Sequence, residues 1–292
     1  MVFVENNPML DEAIERAQAL GIIIPMRSES MESGGTMVAQ HMADTMVAGI
    51  DMTSYDVIVG VREWIGVKKD VKTFSSSYIF EFSNGMTLML ADGAVSKAPD
   101  PQRLADIVLQ TVATHRQVIQ TEPRVAMLSF SSFGSGGKDP SIDKMLETME
   151  IVRKADPSLK IDGEMQLDAA LIESVGKKKG PTSTVAGYAN IMIVPDLNAG
   201  NILAKAIEFF GRANAYGPLL QGFNAPVSDL SRGSTVDDIY GTIIVSALRA
   251  VAAEVAAPPP PAPVSKVDPN NPFLNTGGPA APSYGPEPII TG

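Results

Sequence analysis

The sequence predicts an α/β fold with a mostly parallel sheet. Short apolar runs alternate along the chain with stretches whose apolar residues recur at three- and four-residue steps, the signature of strands separated by packed helices. Apolar residues make up 45% of the chain, enough for a sizeable core. Composition then shifts after Ala257: residues 258–292 hold 11 of the 22 prolines, including Pro258 to Pro261, and so predict an extended, partly polyproline II tail. The remaining 257 or so residues suit two modest domains or one large one.

The elements follow in order. Val2 to Val4 is a short apolar run and predicts a strand. Leu10, Ala13, Ile14, Ala17 and Leu20 have helical spacing, with Gly21 as the stop. Ile22 to Ile24 predicts a second strand, and residues 27–36 (RSESMESGGT) a loop. Eight of the 15 methionines lie at or before Met52, which suggests an adaptable core or interface there. Phe74 to Phe82 and Met86 to Leu90 flank Ser83-Asn84-Gly85, a strong hairpin signal. Gln102 to Ile119 predicts a helix with Leu104, Ile107, Val108, Thr111, Val112 and His115 on one face. Arg124 to Phe130 predicts a strand. Asp139-Pro140 then opens a helix, with a cap residue before Pro at the first helical position and a buried stripe of Ile142, Met145, Met149 and Val152. Ala189 to Val194 predicts a strand, Asn201 to Phe210 a helix closed by Gly211, and Asp237 to Ala250 the last long helix.

Composition excludes several kinds of chemistry. Twenty-three Lys and Arg against 33 Asp and Glu give a net charge of −10, and no basic stretch suits nucleic acid as a partner. With no cysteine there is no disulfide, Cys-ligated zinc, iron–sulfur cluster or thiol nucleophile, and two histidines exclude a His-rich metal site. Glu5 and Asp11 stand where a signal peptide is apolar, and no run approaches 18 uninterrupted apolar residues. A soluble, cytoplasmic protein without a membrane span is the expectation.

Three loops at the carboxyl ends of predicted strands carry more chemistry than packing requires, and in open α/β sheets ligands bind at such ends. Ser129-Phe130-Ser131-Ser132-Phe133-Gly134-Ser135-Gly136-Gly137 offers amides and hydroxyls to an oxyanion, or is simply a flexible Gly/Ser loop. No Gly-Lys-Ser/Thr closes it, so ATP hydrolysis is not supported. In Pro195 to Asn201, Asp196 and Asn198 either hydrogen-bond a ligand or cap the following helix. Ser228 to Asp238 combines the fixed cation Arg232 with Ser231, other hydroxyls and three carboxylates; Ser234 or Thr235 is the expected cap of the last helix, and Asp237 favours its positive end. Lys177-Lys178-Lys179 reads as a solvated charge run, His115 as a structural histidine and Trp64 as core.

Taken together, these loops resemble the phosphate acetyl/butyryltransferase family. The matching stretches are VAMLSFSSFGS at 125–135, DGEMQLDAA at 162–170, VAGYANIMIVPDLNAGNILAK at 185–205 and YGPLLQGFNAPVSDLSRGSTVDDI at 216–239, with weaker matches in MVAGIDMTS at 46–54 and ADGAVSKAPDP at 91–101. The resemblance implies a homodimer of two αβα domains with mostly parallel sheets and a cleft between them. It places residues 1–66 and 221–257 in a discontinuous first domain and 67–220 in an inserted second one. It implies acyl transfer between coenzyme A and inorganic phosphate as substrates, with no covalently bound cofactor and no metal. Ser231, Arg232 and Asp238 match the family's key positions. Asp238 is then the base for the coenzyme A thiol, Ser231 a hydrogen-bonding partner of the thiol or the developing anion, and Arg232 a fork for phosphate oxygens. Ser129, Ser131, Ser132, Gly134, Ser135, Asp196, Asn198, Asn201 and Lys205 are the expected substrate-binding set.

The chain also departs from the family pattern. The interval before MVAG is compressed to residues 27–45, and Val59 stands where the family has a cleft Arg, with Arg62 three residues on. Ser96 and Ser228 replace Asn, Ala204 replaces Tyr, and Tyr188 replaces a basic residue. These departures motivate an alternative, a catalytically degenerate member serving as a structural or regulatory subunit, with 258–292 as a docking segment for a protein partner.

Overall fold

The computed structural model describes residues 1–69 and 71–256. Asp70 and residues 257–292, and with them the expected extended tail, lie outside the described residues. Met1–Ala256 forms one compact unit. Its strands are β1 (Val2–Phe3), β2 (Met26–Arg27), β3 (Met46–Ala48), β4 (Ser75–Glu81), β5 (Thr87–Ala91), β6 (Arg124–Leu128), β7 (Lys160–Met165), β8 (Ile191–Ile193), β9 (Asn214–Gln221) and β10 (Val227–Asp229). Its helices are α1 (Pro8–Ala19), α2 (Met31–Ala39), α3 (Ser54–Trp64), α4 (Pro101–Val118), α5 (Pro140–Ala155), α6 (Leu167–Leu171), α7 (Glu173–Lys179), α8 (Leu197–Gly211) and α9 (Val236–Ala256).

The strands form one sheet in the order β2-β1-β3-β10-β9-β4-β5-β8-β6-β7. Its two ends are parallel: β2, β1, β3 and β10 at one end, β5, β8, β6 and β7 at the other. The antiparallel pairings β10–β9, β9–β4 and β4–β5 join them, so the two parallel blocks run in opposite directions. The fold is thus α/β with a mixed, mostly parallel sheet and two helix/sheet halves. On one face, α2 and α3 cover the first block and α6, α7 and α8 the second. On the other, α1 covers the first block and α4 and α5 the second, while α9 packs on both through Ile239, Ile243 and Val245. Each such fully buried side chain contributes about 1.5–3 kcal/mol, so α9 ties the halves together.

The hairpin forms as expected, with Gly85 at φ +81° in its turn. Asp100 and Asp139 cap α4 and α5, each followed by Pro, and the apolar stripes of both helices are buried. Two expectations fail. No strand forms at Ile22–Ile24, where Ile24 is 84% exposed. Pro25 has no N–H to give a ladder, so pairing starts after it, with Met26 N–H donating to Met1 O and Ser28 N–H to Phe3 O. The loop expected at 27–36 is largely α2. Ser30 caps it by accepting from Ser33 N–H at 3.1 Å. Gly34 and Gly35 lie inside the helix because it packs closely: a Cβ on Gly34 would press on Val4, and one on Gly35 would meet Trp64.

Candidate active site

Ser76 of β4, Leu220 of β9 and Val227 of β10 are in register and share one face of the central strands. On that face α3 lies over β10, and α8 over β4 and β5. The loop after β10 brings Ser231 under α8, where its Oγ accepts from Lys205 Nζ at 3.3 Å and from its own loop's Gly233 N–H at 3.2 Å. Lys205 also pairs with Glu208 at 2.6 Å. Arg232 is exposed, and no ion pair among the described residues includes it. Its charge is therefore available to an anion beside Ser231.

A cavity of about 600 Å³ opens beside Ser231, lined by Lys205, Glu208, Phe209, Arg212, Ala213, Asn214, Thr235 and Asp238. Lys205 thus belongs to both the Ser231 contact and the cavity that Asp238 lines. Asp238 is 4% exposed and closely held. Its Oδ2 accepts from Thr235 N–H at 2.8 Å and Thr235 Oγ1–H at 2.7 Å, its Oδ1 accepts from Ala215 N–H at 2.7 Å, and its own N–H donates to Thr235 Oγ1 at 3.2 Å. This is a reciprocal capping box at the start of α9, with Thr235 rather than Ser234 as the cap. Oδ1 carries one donor and keeps a lone pair open. Asp237, expected to act on the helix dipole, reaches away to Arg16 at 2.8 Å.

The Ser/Gly loop after β6 closes on the protein itself. Glu164, 2% exposed, takes the place of the expected oxyanion: its Oε1 accepts from Ser131 Oγ–H at 2.6 Å and Gly134 N–H at 2.9 Å. Ser132 and Ser135 bond within the loop, and Ser132 also engages Gln166. Ser129 Oγ accepts from Ser131 N–H at 3.2 Å. Of the residues expected to bind substrate here, Ser131 and Gly134 serve this buried carboxylate, while Ser129, Ser132 and Ser135 bond within the loop or to Gln166.

Asp196 is the N-cap of α8, accepting from Ala199 N–H at 3.0 Å, so the helix starts four residues before the expected Asn201. Asn198 is exposed on its first turn. Asn201 Nδ2–H donates to Gly93 O at 3.2 Å and faces the β5 loop. Lys177 pairs with Glu173 and Lys179 with Asp168, as a solvated charge run does. His115 is fully buried and held neutral, its pKa lowered to about 4 mainly by burial.

Three groups outside the expected site set crowd this face. Asp229, two residues before Ser231, is fully buried, and neither carboxyl oxygen has a hydrogen-bond partner. Burial pushes its pKa up to about 7; the Ser54 hydroxyl approaches without completing a hydrogen bond and offsets this only in part, while Glu5 adds to it. Gly49, at φ +108°, gives this carboxyl room, since a Cβ there would collide with Asp229 Oδ1. Glu5 fills a nest of four backbone donors, Gly49, Ile50, Asp51 and Met52, at 2.7, 3.2, 2.8 and 3.0 Å. Tyr78 is raised by burial and then by the carboxylates of Asp229, Glu208 and Asp92. The sequence held one signal for Asp229, a carboxylate directly before Leu-Ser-Arg-Gly at a strand end.

Among the described residues, no group of three or more His, Cys, Asp or Glu is placed to hold a metal, and no helix is long and apolar enough to cross a membrane.

Comparison with known proteins adds to this geometry. The model of the family described as phosphate acetyl/butaryl transferase matches residues 6–247. A phosphate acetyltransferase of Thermoanaerobacterium thermosaccharolyticum is 38% identical over 239 residues, covering 79% of this chain and 73% of the relative. One of Clostridium acetobutylicum is 40% identical over 212 residues, covering 71% of this chain and 63% of the relative. The chain spans only 40% of the length of a third, from Helicobacter pylori. The crystal structure of a phosphotransacetylase from Streptococcus pyogenes superposes with a TM-score of 0.76 at 30% identity, covering 86% of this chain and 93% of that one.

Proposed function

The chain belongs to the phosphate acetyl/butyryltransferase family, and on that premise we propose that it transfers a short acyl group between coenzyme A and inorganic phosphate. The observation that carries this reading is the convergence at Lys205: it hydrogen-bonds Ser231 and lines the same cavity as Asp238, with the unpaired Arg232 next to Ser231.

In this reading each group has one task. Arg232 holds two oxygens of the phosphoryl group and offsets their charge. The open lone pair of Asp238 Oδ1 accepts the thiol proton as sulfur attacks the acyl carbonyl; the new thioester bond forms, the acyl–oxygen bond breaks, and phosphate leaves. Ser231 orients the sulfur or the developing anion, and Lys205 orients Ser231. Asn201 and Asn198, on the first turns of α8, remain candidates for the body of the coenzyme. Residues 1–66 with 221–257 make one half and 67–220 the other, a division supported by the strand order. A homodimer in the cytoplasm and a partner for residues 258–292 complete the proposal; the first comes from the family resemblance and the last from composition.

The test is acyl-phosphate-dependent thioester formation by purified protein, with Asp238→Asn beside it. Turnover in the wild type that falls about 10²–10⁴-fold in the variant supports the reading. An undiminished variant removes Asp238 from the chemistry. A wild type inert with acetyl, propionyl and butyryl phosphate favours the degenerate-subunit reading, which the exposed Val59 on α3, 42% accessible in place of a cleft Arg, already motivates.

A further inference from the structure

We propose that the cavity between α4 and α9 is a binding site for one small oxyanion of the size of inorganic phosphate, held by Arg249. The site lies on the face opposite Lys205 and does not depend on acyl transfer.

Arg249 is only 7% exposed, yet no ion pair among the described residues includes it. Its guanidinium donates to two strand carbonyls, Val227 O at 3.2 Å and Leu220 O at 2.5 Å. A guanidinium stays charged in a protein, and a buried charge without a counter-charge is costly. Burial is the sole cause that lowers its pKa, to about 10; no neighbouring charge contributes.

The adjoining cavity has the matching chemistry. Among the described residues its charged lining is Lys68 and Arg249, its polar lining includes Gln110, Thr114, Gln117 and Gln221, and no acidic side chain lines it. Gln221 is already fixed, accepting from Ser75 Oγ–H at 2.9 Å and donating to Ser77 Oγ and Thr114 Oγ1 at 2.9 and 3.0 Å. The wall is therefore rigid. Two cations lining a space with no carboxylate among the described residues favour an anion.

Size narrows the class. The cavity is about 130 Å³. That is well above the roughly 10–15 Å³ a single water needs and below the roughly 300–1,000 Å³ of pockets for drug-sized ligands. A tetrahedral oxyanion fits and coenzyme A does not. The site is also separate from the proposed chemistry. Asp238 and Arg249 are eleven residues apart on α9, about 16 Å along its axis. They are linked all the same: Arg249 grips Val227 of β10, the strand that leads to Ser231. An anion here would bear on the strand and helix that carry the Ser231 loop.

The experiment is calorimetric titration with inorganic phosphate, and separately with sulfate, at ionic strength matched with chloride. It uses the full chain as wild type, Arg232→Ala, Arg249→Gln and Lys68→Gln. Arg232→Ala should retain one saturable site for both anions. Arg249→Gln should weaken that site about 10–100-fold, the loss of one charged hydrogen-bond partner. Should Arg249→Gln fail to fold, the exposed Lys68→Gln decides, with a several-fold weakening expected. Loss of all anion binding in Arg232→Ala, or unchanged binding in Arg249→Gln or in Lys68→Gln, overturns the proposal and leaves Arg249 a structural tether. An enzyme inert in acyl transfer that still shows this site would defeat the proposed function and leave the anion site standing.

Discussion

Asp229→Asn should make the protein more stable at pH 8 and leave it nearly unchanged only in strong acid, below about pH 3. The buried carboxyl has no donor to hold its ionised form, so its folded pKa lies at about 7 against the ordinary aspartate value of 3.8. A raised acid pKa means the folded state binds the proton more tightly than the unfolded chain. That contribution is full below the unfolded pKa and is lost as pH rises through the folded one. At 1.36 kcal/mol per pK unit, a shift of about three units amounts to roughly 4 kcal/mol across this window. The asparagine has nearly the same shape, carries no charge and does not titrate. The stability difference between variant and wild type should therefore be near zero below about pH 3, about 1.5 kcal/mol at pH 5 and about 4 kcal/mol by pH 8, the last roughly 8–16 °C in melting temperature for a unit of this size. Thermal and urea unfolding of both proteins at matched pH values from 4 to 8.5 measure the rise, and taking the difference cancels every other titrating group that the substitution leaves alone. A difference that stays flat with pH, or a variant less stable at pH 8, refutes the idea of an uncompensated carboxyl.

The remaining predictions are shorter. Arg232→Ala should weaken phosphate-bearing substrates about 10–100-fold in binding and lower turnover while leaving thermal unfolding within about 0.5 kcal/mol, because the side chain is exposed and unpaired; binding and melting curves for the same preparation check both halves. Glu164→Ala should cost about 2–4 kcal/mol, since Ser131 Oγ–H and Gly134 N–H lose their buried acceptor, and chemical denaturation reads it. Truncation after Ala257 should leave the melting temperature nearly unchanged, because residues 258–292 offer few large apolar side chains beyond Phe273, Leu274, Tyr284, Ile289 and Ile290; a large drop would show that they pack on their own chain.

The fold was legible where one element carried its own signal. The apolar stripes of α4 and α5 stand behind cap–Pro pairs, and Asn84-Gly85 marks the hairpin. It was illegible where tertiary context decided. Gly34 and Gly35 read as loop residues because glycine weakens a helix, yet α2 needs them to approach Val4 and Trp64. β10 is three residues long, Val227–Asp229, and β9 contains Gly217-Pro218, so neither gave a periodic run. Both lie at the centre of the sheet, where long-range pairing rather than local preference makes a strand.

The site was legible as a set of loops and illegible in what the loops hold, because a backbone nest looks the same in sequence whether it awaits a ligand or already has one. Three carboxylates show this. Glu5 fills the donors of Gly49 to Met52, Glu164 those of the loop after β6, and Asp92 accepts from Ala94, Val95 and Ser96 at 3.0, 3.2 and 2.9 Å. In each case a distant or preceding residue supplies the anion, and composition of the loop alone does not reveal it. The loop after β10 differs. Its carboxylate, Asp238, serves the start of α9, Asp237 turns to Arg16, and Arg232 is left with no anion among the described residues. The same electrostatic comparison therefore favours the Ser231–Arg232 turn: where the protein has not supplied the counter-charge, a substrate phosphate can.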